Sequence, residues 1–459
     1  MTEDEKAKLY RRIVRGVSHA VLLNRMRVHG FWPYDEPLPP DPAEEREERQ
    51  ALEARKAALQ NLASPDVDLD KALAAERKRR WDESKKRRTE RKAARVAARA
   101  ERLVAFEAAR AAGVVHLGLG VSAALEHTRS DEALLGSQAL PVLHTAAELA
   151  SAMSIEIKLL RWLTYHRKAV TLVHYHRYEI PKKSGGIRLI SAPKPKLATA
   201  QQWVLEHILS ALPVEPMAHG FIEDRSIATN ANPHVGQKIV VNMDLKDFFP
   251  SLTFQRVRGL FRKLGYSGQV ATVLALLCTE PPRVAAEVHG VTYHVALGER
   301  RLPQGACTSP AITNVVCRRL DRRLHGLAFR HEFRYTRYAD DLTFSGASSE
   351  TLGGLMRFVR KVLQSEGFEE NASKTRVMRP GRRQEVTGVV VNDRRSISRQ
   401  DRRRLRAILH NVERSGLDSQ NRQQHPHFAD YLRGLLSYYK MIDPAGAAPL
   451  ELALARALR

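Results

Sequence analysis

The sequence predicts an α+β fold, with short antiparallel hairpins set among long helical stretches. Three observations carry that expectation. In residues 334–345, Tyr335 and Tyr338 lead into the acidic pair Asp340-Asp341 and Leu342, Thr343 and Phe344 lead out. Aromatic and β-branched residues around a short polar break form a hairpin with the acids at its tip. In residues 178–190, two β-prone runs flank Lys182-Lys183-Ser184-Gly185-Gly186, a second hairpin with a basic tip. Elsewhere apolar residues recur at helical spacing.

The 459 residues suffice for two or three domains, and 43% hydrophobic content suits a soluble globular chain. Lys and Arg outnumber Asp and Glu by 75 to 51, giving a net charge of +24. Such a charge calls for a polyanionic partner, usually nucleic acid and less often an anionic membrane. No apolar run reaches membrane-spanning length, so no membrane partner is expected. The polar start Met1-Thr2-Glu3-Asp4-Glu5-Lys6 carries no secretory signal, which points to the cytoplasm. Cys278, Cys307 and Cys317 show no paired spacing, so zinc and disulfides are not expected.

Taken in order, Leu9, Ile13, Val17 and Val21 mark a helix, and Pro33, Pro37, Pro39, Pro40 and Pro42 form a stiff connector. Residues 43–112 are rich in Ala, Arg, Glu and Lys, strong helix formers with little to bury. This stretch is either a solvated helical spacer or a phosphate-binding arm. Residues 113–137 look like a linker. Thr145 and Glu148 form a capping box, and a helix through Leu160 and Leu163 precedes the basic hairpin. That hairpin either folds Lys182, Lys183 and Arg188 over a triphosphate or is an ordinary surface turn. A helix covers 197–210. Residues 239–243 form a buried strand that delivers Asp244 at its end, where a sheet fixes an acid and its rim opens to solvent. Helices follow over 253–264 and 269–277. The loop 301–310 leads into a helix to about Leu324, with Pro310 at its start. Another helix spans 349–366, Lys374 stands on a turn, residues 385–392 form a short strand pair, and the chain from Ser398 is helical.

Alone, Asp340-Asp341 is equally a solvated turn or a metal site. Together with Asp244 it supplies three carboxylates, enough with substrate phosphates to hold two Mg²⁺ ions about 3.5–4 Å apart for phosphoryl transfer.

Tyr338-Ala339-Asp340-Asp341 resembles the catalytic motif of reverse transcriptases. Other blocks follow the family's order: Gly185-Gly186-Ile187-Arg188, Asp244 with Phe248-Phe249, Leu302-Pro303-Gln304-Gly305, the acids, then Lys374. The resemblance implies a right-hand polymerase. A helical, basic extension (1–140) would precede fingers and palm (141–385), with the palm an antiparallel sheet packed on helices, and a helical thumb (386–459) would recognise RNA. It implies that Asp244, Asp340 and the Leu245 carbonyl bind two Mg²⁺ ions (Mn²⁺ as a substitute), with Asp341 in support. Arg188 with Lys182 or Lys183 would bind the incoming deoxynucleotide triphosphate, Phe249 would exclude a ribose 2′-hydroxyl, and Gln304 would contact the nascent base pair beside Gly305. Lys374 would protonate pyrophosphate or be a plain surface lysine.

Asn230-Ala231-Asn232-Pro233-His234 and Val386-Thr387-Gly388 fit two motifs of bacterial retron reverse transcriptases. That subgroup implies RNA binding by Asn230, Ala231, His234, Val386, Thr387 and Gly388. Its template and primer would be the retron's own noncoding RNA, and its product msDNA, branched at an internal guanosine 2′-hydroxyl. It also implies a role in antiphage defence, often with an accessory effector protein. An intron-like enzyme primed from a 3′-hydroxyl, and a non-catalytic polymerase-like scaffold, remain open alternatives.

Overall fold

Ala, Glu, Lys and Arg lose little side-chain freedom in a helix, and the stretch rich in them forms two helices, Ala43–Leu62 and Leu69–Ala112, after a first helix His19–Val28. This computed structural model describes residues 19–30, 33–37, 43–62, 68–182 and 185–458. Leu9, Ile13, Val17, Pro39, Pro40, Pro42 and Lys183 lie outside them. The chain divides into two units, residues 1–102 and 103–459, with the Leu69–Ala112 helix running through the division.

In the second unit the 113–137 stretch is not a linker. Val114, Leu117, Val121, Leu125 and Leu135 are buried in the main core. They are spaced without period, so nothing local announces their burial. Thr145 caps the Ala146–Ala152 helix as expected, its hydroxyl accepting from the Glu148 amide. The Glu148 carboxylate accepts from the His144 amide. The short strand β1 (Ala169–Val170) leads to the hairpin β2 (Tyr175–Pro181) and β3 (Ile187–Pro193), in register with Ile180 opposite Arg188. A helix Pro195–Val204 ends in a π-helical turn, Leu205–Leu209.

Strand β4 (Ile239–Asp244) is buried along most of its length. The Gly268–Cys278 helix beyond it is apolar on every side, and all of its residues are buried, as such a helix requires. Next come β5 (Arg283–Val288) and β6 (Val291–Ala296), which with β1 make a separate three-stranded sheet. The expected single helix after residue 310 is two, Thr308–Val316 and Arg318–Arg330, meeting at Cys317.

Strands β7 (Phe333–Tyr338), β8 (Asp341–Gly346) and β9 (Arg376–Met378) complete the central sheet, ordered β7-β8-β4-β9 and antiparallel throughout. The Leu352–Ser365 helix packs against the Arg318–Arg330 helix, which in turn packs against β7. Past β10 (Glu385–Val386) and β11 (Val389–Val390), helices Arg399–Ser415, Phe428–Ile442 and Pro444–Ala457 enclose a second core. Leu405, Leu409, Leu432 and Ile442 are buried in it, each worth about 1.5–3 kcal/mol. Strand β4 borders both cores. Ile239, Val241 and Met243 face the main core, whereas Val240 belongs to the second. The alternation of side chains along a strand produces this division.

Candidate active site

The β4–β8 register sets Asp244 directly opposite Asp341, and β7–β8 sets Asp341 opposite Tyr338. Only Ala339 and Asp340 remain to close the hairpin. Ala339 has φ 56°, a left-handed conformation that costs a non-glycine residue about 1–2 kcal/mol. Two bonds hold it there. The Leu245 amide donates to the Asp340 carbonyl (3.0 Å), and the Arg337 guanidinium donates to the Ala339 carbonyl (3.3 Å).

Arg337 and Asp321 are both wholly buried and bound in a two-pronged pair of 2.7 and 2.8 Å. Arg337 also donates to the Asn314 side-chain oxygen, and the Tyr335 hydroxyl donates to Asp321. Asn314 in turn donates to the Gly220 carbonyl. A Cβ on Gly220 would lie 2.6 Å from the Ala339 amide nitrogen, so only glycine lets that loop support the acidic turn. No local signal in the sequence announces this set. An arginine in Arg334-Tyr335-Thr336-Arg337 looks like surface charge, and its partner lies 16 positions away.

Lys374, on its expected turn, donates to both Asp244 oxygens at 2.9 and 3.0 Å. The Asn371 side chain donates to Asp244 Oδ2 at 3.1 Å, and its amide to the Asp244 carbonyl. Burial raises the pKa of Asp340 above the ordinary carboxylate range. The Asp244 charge adds to this, while Lys374 and Arg188 pull it back. Burial, then Asp340 and Asp244, push Asp341 up to about 7. Such an excess of crowded negative charge is the donor chemistry of hard divalent ions. Among the described residues no group of three or more His, Cys, Asp or Glu side chains is by itself arranged to hold a metal ion. Asp244, Asp340 and Asp341 fit a group whose remaining ligands come from substrate and water.

Phe248 is buried, and Phe249 is half-buried beside it with ring centroids 5.5 Å apart. Phe221, which no sequence motif marks, stands between Phe249 (6.3 Å) and Tyr338 (6.5 Å). It is exposed and has φ 61°, an unusual pairing for a bulky residue. Arg188 and Lys182 are exposed on the β2–β3 hairpin. Gln304 gives its carbonyl to the Ser191 amide at 2.7 Å. Gly305 has φ 115°, and a Cβ there would meet Ile190 Cγ2 at 2.8 Å. The backbone that approaches Gly305 is therefore that of β3.

Asn230, Ala231 and His234, expected to bind RNA, are all buried inside the protein. The His234 ring is hydrogen-bonded to the Ser345 (2.7 Å) and Thr336 (2.8 Å) hydroxyls, clamping β8 and β7 from behind. Burial holds it neutral, with its pKa lowered to about 3. Asn230 donates to the Thr387 hydroxyl at 3.3 Å, which joins the two separate motifs into one unit. Val386 is buried, whereas Gly388 is exposed close to the Tyr438 hydroxyl.

A family profile described as reverse transcriptase (RNA-dependent DNA polymerase) matches residues 180–410. The retron Mx65 reverse transcriptase of Myxococcus xanthus is 48% identical over 70% of this chain and 73% of its own length. The retron Mx162 reverse transcriptase of the same organism is 42% identical over 82% of this chain and 80% of its own.

The chain belongs to the retron reverse transcriptase family.

The retron Ec86 reverse transcriptase of Escherichia coli is 33% identical over 66% of this chain. This reverse transcriptase is thus an RNA-directed DNA polymerase of α+β polymerase fold. The β2–β3 hairpin and the β7-β8-β4-β9 sheet lie in the stretch expected as fingers and palm, and the helices around the second core lie in that expected as thumb. Its family works with divalent metal ions. Among the described residues, no helix is long and apolar enough to cross a membrane.

Proposed function

We propose that this reverse transcriptase copies the structured noncoding RNA of its own retron into msDNA, starting from an internal guanosine 2′-hydroxyl. The observation that carries the reading is the convergence of Asp244, Asp340 and Asp341, with Lys374 bound to the first. Two Mg²⁺ ions bound there would activate the attacking hydroxyl and offset charge on the leaving group. Asp244, Asp340 and the Leu245 carbonyl would hold them, with Asp341 in support; Mn²⁺ is a substitute with the same oxygen preference. Arg188 and Lys182 would neutralise the triphosphate of the incoming deoxynucleotide, and Phe249 would exclude its ribose analogue. The Gln304 loop would meet the nascent base pair. Lys374 would give a proton to the departing pyrophosphate.

Retron-type substrate choice is supported by the junction of Asn230 with Thr387, because the loop it fixes carries the exposed Gly388 beside Tyr438. Asn230, Ala231 and His234 position that surface from within the protein. The kinship with named retron enzymes supports a place in antiphage defence alongside an accessory effector. Sequencing the nucleic acid that copurifies with the chain tests the reading. A branched RNA–DNA molecule is expected. A product with only 3′–5′ linkages would instead favour an intron-like enzyme.

A further inference from the structure

The Leu69–Ala112 helix plays no part in the site just described, yet its charges are ordered. Arg80, Arg87, Arg91, Arg95, Arg99 and Arg102 recur at intervals of seven, four, four, four and three residues, and all are exposed. Positions three, four and seven apart share a face, so the six form one row about 33 Å long. They line a common shallow groove in which Glu83 is the only carboxylate. Glu76 pairs with Arg79 and Arg80. Among the described residues, no ion pair involves the other five arginines of the row.

Two other uses of such a helix fail on its composition. A coiled-coil seam needs an apolar residue about every three or four positions, and between Leu73 and Val96 the only large apolar side chain is Trp81. A helix lying in a membrane interface needs a broad apolar face opposite its charges, and none exists here. What remains is a line of guanidinium groups about as long as one turn of a nucleic-acid duplex. Arginine binds phosphate in a planar, two-pronged manner. In an A-form duplex the deep, narrow major groove keeps side chains from the base edges, so a row of arginines there meets phosphate and 2′-hydroxyl oxygens.

We propose that this row is a docking surface for the phosphate backbone of double-stranded RNA, independent of base sequence and distinct from the polymerase cleft. The chain thus carries a second hold on structured RNA, one governed by salt.

The test uses the full-length protein and a blunt, mixed-sequence RNA duplex, with binding followed by fluorescence anisotropy across a salt series. In one variant Arg87, Arg91, Arg95 and Arg102 become Gln, which keeps helix propensity. In a second, Lys78, Arg79, Lys85 and Lys86 on the far side of the helix become Gln, an equal loss of charge. The row variant is expected to lower the slope of log affinity against log salt by about 3 and weaken low-salt binding at least about tenfold. The far-side variant should change the slope by less than half as much. A third variant with Lys at the four row positions retains charge and should bind within about threefold of wild type, which covers the case in which the Gln variant misfolds. Equal losses in the first two variants, or loss of binding in the Lys variant, would overturn the proposal. So would a row-dependent preference for phosphatidylserine vesicles or for a DNA duplex of the same sequence.

Discussion

Asp340 sits in a turn held by two hydrogen bonds, so its carboxylate can lose charge without the turn losing shape. Asp340→Asn is expected to reduce Mg²⁺-dependent cDNA synthesis by at least about a hundredfold while RNA affinity measured by filter binding stays within about twofold. Retained synthesis would remove Asp340 from the metal-binding set. Phe249 is half-buried, with one side against Phe248 and the other toward Phe221. Phe249→Ala should let ribonucleotides compete in primer extension; an unchanged preference for deoxynucleotides would remove the gate role. Arg337 lends itself to a sharper experiment. Arg337→Met leaves Asp321 charged and buried, which should cost about 3–5 kcal/mol in urea unfolding. Adding Asp321→Leu should recover most of that stability. Synthesis should stay impaired in the double variant, because the Ala339 carbonyl still lacks its donor. Recovery of both properties would show that Arg337 serves only the fold.

At the scale of elements, regularity decided what the sequence revealed. The acidic hairpin, the basic hairpin and β4 are compact runs of apolar, aromatic and β-branched residues, and each was legible with its bounds nearly correct. Their acids and Arg188 were legible with them. The β5–β6 hairpin was overlooked although Val288-His289-Gly290-Val291 sets a two-residue turn between β-branched residues. Residues 113–137 look like a linker in sequence because their buried side chains come singly. The Asn230–Thr387 bond spans 157 positions, and no local pattern could pair the two motifs. That bond has a measurable weight. Thr387→Val should cost about 1 kcal/mol and weaken binding of the cognate RNA, while extension of an unrelated primer–template stays at the wild-type rate. A parallel fall in both activities would mean that the junction serves the palm as a whole.

For the whole molecule, acid should bear on stability through buried neutral histidines. Burial is the leading cause of the lowered pKa values of His166 (about 4), His219 (about 4) and His234 (about 3). Each takes up a proton more readily when unfolded, near pH 6.5. Their contribution is therefore full above about pH 6.5 and declines as pH falls toward the folded values. For His234 the slope is about 1.4 kcal/mol per pH unit through that window. His234→Gln should flatten the pH dependence of urea unfolding between about pH 6 and 4 by that amount; equal slopes in the two proteins would deny His234 the part. The raised carboxyls of Asp340 and Asp341 act in the opposite sense, so the comparison with the variant isolates the histidine.

Strand β4 is a party wall. One face closes the main core and the other closes the second core, and its last residue is Asp244. A chimera that exchanges the thumb at residue 386 would therefore present a foreign surface to Val240, on the strand that carries a candidate metal ligand. Recombination between relatives should succeed only when β4, the Ile227–Ala231 helix and the thumb travel as one cassette. For engineers seeking new template preferences, that cassette is the natural module of exchange.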